Sequence, residues 1–235
     1  MELLWHGLVE AVRLIVRADP ELIRITALSL GVSLSATGLA AAAGIPAGVL
    51  LAVGRFPGRG VLHVLVNTGM ALPPVVVGLA ITILLWRTGP LGFLQLLYTP
   101  AAMVLAQFVV AWPLAAGLTR AGLELLDADL TQALRADGAG ALALGRELVR
   151  AALPHVLTAV AAAFGRAVAE VGASLMVGGN ILGQTRTLTT AITLHTSRGD
   201  FALAIALGLV LLALAFAVNA ALSWPQRAWL GGRQL

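Results

Sequence analysis

From Leu30 to Val53 no side chain carries a charge. A helix rises about 1.5 Å per residue and the apolar layer of a bilayer is about 30 Å thick, so this run alone can cross one. Four further apolar runs follow: Val61–Trp86, Ala101–Leu118, Val156–Val177 and Phe201–Leu222. Only 11% of the residues are charged, against about 25% in soluble domains. Mean hydropathy is +0.94, more than one soluble core of this size can hide. The expected fold is therefore all-α, a polytopic membrane protein of about five transmembrane helices.

Every basic residue is Arg, and the net charge is +4. No basic stripe interleaved with aromatics occurs, so no nucleic-acid partner is expected. Cysteine is absent, which removes disulfide and thiol chemistry. No cleavable leader is expected, because His6, Glu10, Arg13 and Arg17 interrupt the first apolar stretch. Those four recur at helical spacing, with Leu4, Leu8, Val12 and Ile15 away from them. Residues 1–25 are thus expected to form an amphipathic helix in the membrane interface, touching lipid. Asp19-Pro20 reads as a helix start, since Asp caps and Pro suits the first turn.

Two of the five runs carry features that lipid does not tolerate. Pro73-Pro74 breaks the second, and the carbonyls it frees must be satisfied by protein or a cavity. Arg166 and Glu170 lie in the fourth, four apart. If the helix is continuous they share a face and can pair, which would orient the helix or gate it; alternatively they line a pathway. Pairing would make Arg166 essential to Glu170. Between the fourth and fifth runs lie Asn180 and a stretch rich in Thr: Thr185, Thr187, Thr189 and Thr190. A solvated loop is the plain expectation there, with hydroxyl donors to an oxyanion as its rival. His63 and His155 have no carboxylate neighbours at ligand spacing, so no metal site is expected.

Residues 120–154 are the most polar stretch. Asp129-Leu130-Thr131-Gln132 has the form of a capping box. A short helix would end in a left-handed turn at Gly138, and a second would run from Ala139 towards Leu153-Pro154. Such an elbow suits docking of a partner that moves the adjoining spans.

Here the chain resembles a known family. Gln132-Ala133-Leu134-Arg135-Ala136-Asp137-Gly138, followed by Leu153-Pro154, resembles the EAA loop of binding-protein-dependent ABC transporter permeases. Gln132, Leu134 and Asp137 depart from the common pattern. The stretches Asn67–Gly78, Ala163–Ala173, Gly178–Ile181, Thr187–Ile192 and Gly199–Ala204 are similar to the oxyanion branch, most like tungstate and then molybdate permeases. The resemblance implies a transmembrane domain over 26–225, a cytoplasmic coupling loop over about 120–154 and a cytoplasmic tail over 226–235. It implies a homodimer in the cytoplasmic membrane of a prokaryote, with cytoplasmic ATP-binding subunits and an extracytoplasmic binding protein. The coupling residues would be Asp129, Gln132, Ala133, Asp137 and Gly138. Pathway or gating candidates are Pro73, Pro74, Arg166, Glu170, Asn180 and Thr189. ATP and Mg would belong to the partner, with no cofactor and no catalysis in this chain.

Five spans with the elbow inside put the N-terminus outside. Arg55, Arg59, Arg120, Arg135, Arg146, Arg150, Arg227 and Arg233 then fall inside, against six arginines outside, the bias expected of a membrane protein. An embedded enzyme would need a nucleophile–base pair or a metal set, and none is patterned. A phosphate-binding Gly-x-x-x-x-Gly-Lys loop is impossible without Lys. A secondary transporter or channel for a small anion is the remaining rival. It would carry ionisable relays in several spans, and only Glu170 qualifies.

Overall fold

The computed structural model describes residues 2–17 and 19–231, except for the side chains of residues 3, 4 and 225–231. Leu4, Arg227, Arg233 and the end of the tail therefore lie outside the described residues or side chains. Eleven α-helices and one short 3-10 turn occur among those described. Three helices are long and apolar enough to cross a membrane, and two bent pairs bring the number to five if each pair is one span.

The centre is a lengthwise packing of α2 (Pro20–Val53) against α5 (Pro100–Glu124). Asp19 caps α2, its carboxylate accepting from the Glu21 and Leu22 amides at 2.9 Å. The first span is thus longer than its uncharged part, and residue 25 falls inside it. Its buried face runs Ser29, Ser33, Ala36, Ala40, Gly44, Gly48, Leu51, a helical stripe of small residues. Small side chains let helix backbones approach closely, the main route to tight packing in lipid. The facing stripe on α5 is Ala111, Ala115, Ala116 and Thr119, all fully buried. α5 passes through Trp112-Pro113 without a break.

The second run is broken where the prolines require it. α3 (Arg59–Met70) and α4 (Pro74–Leu85) meet at 106°. The polar segment supplies α6 (Ala128–Ala136) and α7 (Ala141–Ala151), and α7 turns by 82° into α8 (Leu153–Val168). The fourth run is not one continuous helix. α8 ends at Val168, and α9 (Gly172–Gly178) begins after a corner. α10 (Leu188–Ser197) and α11 (Phe201–Gly231) complete the chain.

α1 (Glu2–Val16) lies along α11, with Gly7 against Ile205 and Ala11 buried. It is not a detached surface helix. Leu8, Val12 and Ile15 nevertheless remain exposed, as do His6, Arg13 and Arg17. Only a narrow strip faces protein, which leaves the apolar side free for lipid.

Candidate functional site

The elbow sits at one end of the bundle. Asp127, not Asp129, caps α6, and its carboxylate accepts from the Asp129 amide at 3.0 Å. Starting the helix at Ala128 turns Leu130 and Leu134 inward, against the cluster of Leu123, Leu144 and Leu148. Asp129, Gln132, Ala133 and Asp137 stay exposed. Gly138 has φ +80°, and the Ala139 amide donates to the Leu134 carbonyl at 3.0 Å, closing the helix end. Nothing lies within 4 Å of where a Gly138 Cβ would be. The elbow therefore presents a polar, capped, uncovered helix.

The elbow is also tied to the first span. Arg59 donates to the Leu51 and Ala52 carbonyls at 2.9 and 3.2 Å. Arg135, on α6, donates to the Val53 carbonyl at 3.2 Å. Two cations thus satisfy three orphan carbonyls at the end of α2, where the helix dipole favours positive charge.

The pathway candidates fall into two groups. In the first, an Arg166 Nη2 hydrogen donates to the Leu72 carbonyl at 3.5 Å, beside the Pro73-Pro74 break. In the second, Thr189 donates to the Glu170 carbonyl at 3.1 Å, and Asn180 donates to the Thr190 carbonyl at 3.4 Å. Asn180 adopts φ +52° and accepts from Arg186, which also reaches Glu21 at 3.5 Å.

Arg166 and Glu170 do not pair. No ion pair joins them among the described residues, because α8 ends between them. The Glu170 carboxylate instead accepts from the Ala173 amide at 2.8 Å and lies buried at the start of α9. The expectation that Arg166 exists to serve Glu170 therefore fails.

The Thr-rich stretch is not a solvated loop. Thr185, Thr187, Thr189 and Thr190 are all buried. Thr187 and Thr190 form the capping box of α10, and Thr185 accepts from Ile181 at 2.9 Å while donating to the Gly178 carbonyl. Ser29 accepts from the Leu188 amide at 2.8 Å, fixing α10 to α2. The hydroxyls hold the corner together and are not left free for an anion. Thr185→Val should leave two buried backbone groups unpaired and cost about 2–4 kcal/mol. A lowered thermal midpoint in detergent, with Thr185→Ser close to wild type, is the expected result; an unchanged Thr185→Val midpoint would contradict this role.

Three features come forward only in the structure: a glycine pair, a helix cap and a tether. The Gly44-x-x-x-Gly48 spacing was a visible signal of close helix packing. Asp127 had a cap's chemistry but a rival two residues on. The tether from Arg135 to Val53 had no local signal.

A bundle of three to five candidate spans, bent where helix pairs break and capped by a polar elbow at one end, defines a polytopic α-helical membrane protein. The chain belongs to the family of binding-protein-dependent transport system inner membrane components, whose model matches residues 44–229. It is the transmembrane permease of an inner-membrane, binding-protein-dependent ABC importer. The chain is 41% identical, over 94% of its length and 96% of the relative's, to a tungstate uptake system permease protein, TupB, of Peptoclostridium acidaminophilum. It is 32% identical to a molybdenum transport system permease protein, ModB, of Escherichia coli K12, over 78% and 86% of the two chains. The fold matches a chain of the MetNI methionine ABC transporter in an inward-facing conformation. The TM-score is 0.74 at 23% identity, covering 88% of this chain and 95% of that one. That likeness is one of fold.

Proposed function

We propose that this permease carries tungstate, with molybdate as its second substrate, and that it works as a homodimer. The 41% identity to a tungstate permease over nearly the full length of both chains carries the reading. Each copy holds one cytoplasmic ATPase subunit through Asp129, Gln132, Ala133, Asp137 and Gly138, on the exposed side of α6. ATP and Mg bind to that subunit, and this chain hydrolyses nothing. A binding protein delivers the anion at the opposite end.

The translocating domain begins with α2 at Pro20, so the boundary expected at residue 26 moves back to the helix start, and it runs to about residue 225 with the coupling loop over about 120–154. Only the α1 segment anchors in the lipid interface, and 226–235 form the cytoplasmic tail. The breaks at Pro73-Pro74 and at Glu170, with Asn180 and Thr189 bracing the second, mark the helices that line or gate the pathway. The membrane forbids irregular backbone elsewhere.

The permease should copurify with an ATPase subunit from membranes. Proteoliposomes holding the complex should take up labelled tungstate only when ATP and the binding protein are present, with molybdate competing more weakly. Uptake that persists without ATP would instead support a secondary transporter or channel.

A further inference from the structure

We infer that Arg166 is an anion contact within the pathway, part of a wet polar strip formed with Asn67 and Thr68. This rests on the oxyanion reading above and names a site for it.

Arg166 is in the fourth span, about 20 Å along α8 from Leu153. Leu72 is about 20 Å along the second span from Arg59, so the two meet at one depth. Both distances run from the elbow end, where Arg59 caps α2 and α7 packs on Val49 and Ala52. A bilayer core is about 30 Å thick, so Arg166 lies well inside it.

A guanidinium has five N–H donors. Arg166 uses one, on the Leu72 carbonyl at the long distance of 3.5 Å. Its neighbour Glu170 is turned away to cap α9. No carboxylate lies within ion-pair distance of Arg166 among the described residues. The side chain is only half-buried, and Gly165 beside it faces open space.

The exposed face of α3 is apolar over Val61, Val64 and Leu65 and turns polar only in its last turn, where Asn67 and Thr68 lead to Leu72 and the Arg166 contact. An uncompensated charge at membrane depth faces water or a bundle interior rather than lipid. A charge with free, planar, paired donors fits a tetrahedral oxyanion by bidentate hydrogen bonding. The Pro73-Pro74 break supplies the opening, since it ends α3 and swings α4 aside by 106°.

The chain has no cysteine, so Asn67→Cys creates a single thiol. In the assembled complex, a negatively charged methanethiosulfonate should react there faster than a positively charged one of similar size. Adding Arg166→Gln should lower the ratio of those rates about tenfold, because a local cation concentrates anions. Millimolar tungstate should slow the anionic reagent. In proteoliposomes, Arg166→Gln should cut tungstate uptake about tenfold, and Arg166→Lys should recover part of it. Copurified ATPase should stay at wild-type level.

The site is overturned if the Asn67→Cys thiol reacts with neither reagent, or if the rate ratio ignores residue 166. These labelling results use a folded parent, so they hold even if Arg166→Gln fails to assemble. A charge-dependent ratio in a wild-type complex that takes up no tungstate would sink the substrate reading and leave the anion site standing.

Discussion

Gly48→Leu is expected to leave almost no assembled permease in the membrane. A Cβ at Gly48 would sit 2.7 Å from the Ala116 carbonyl oxygen, 2.8 Å from Thr119 Cβ and 3.0 Å from the Arg120 amide. One turn away, a Cβ at Gly44 would sit 2.8 Å from Ala115 Cβ and 3.0 Å from the Ala116 amide. Most of these neighbours are α5 backbone, which cannot rotate out of the way. α2 and α5 would have to separate along the whole stripe. Overpacking an ordinary core costs about 1–3 kcal/mol, and this contact should exceed that range. Gly38→Ala is the control on the same helix, since nothing lies within 4 Å of its Cβ position. It should be neutral or gain about 0.5–1 kcal/mol from helix propensity. Gel filtration and a thermal midpoint in detergent read both variants. A Gly48→Leu profile matching wild type would mean that α2 and α5 do not pack as described.

Gly138→Val should uncouple the permease while leaving its spans folded. Gly138 is at φ +80°, a region open to Gly, partly to Asn, and closed to β-branched residues. Space is not the obstacle, because no atom lies near the Cβ position. The strain of about 1–2 kcal/mol falls on the turn that aims α6. The exposed face of Asp129, Gln132, Ala133 and Asp137 would be re-aimed, so ATPase recovery and tungstate uptake should both fall at least about tenfold. Gly138→Asn should keep most of both, since Asn tolerates the left-handed region. Equal loss in the two variants would point to lost space or charge rather than backbone conformation.

The spans were legible because lipid imposes a simple rule of length and polarity. The second-run break was legible for a related reason: Pro73 and Pro74 remove donors regardless of context. Gly138 was legible because its role is conformational and local. The fourth run was not, because nothing between Arg166 and Glu170 is a helix breaker. α8 stops there because of tertiary contacts, with Thr189 holding the Glu170 carbonyl and Ala173 holding its carboxylate. Helical spacing therefore suggested a pair that the chain does not make. The Thr-rich stretch misled in the opposite sense. Its composition looks solvated, but each hydroxyl finds a partner within a few residues or on the α8–α9 corner, which makes burial tolerable. Asp127 and Asp129 compete for one cap, and the inward turn of Leu130 and Leu134 decides between them. That decision depends on packing against Leu144 and Leu148 of α7, beyond the Gly138 turn.

The bond from Arg135 to the end of α2 has a mechanical consequence. α2 is a single helix of 34 residues, about 51 Å long, fixed at one end to the elbow and near the other to α10 through Ser29. It can act as a lever arm with the elbow as its handle. A tilt of about 5° at the handle would carry the far end by about 4 Å. A modest shift of the elbow would then register at the far corner as a change in aperture, with no unfolding between the two ends.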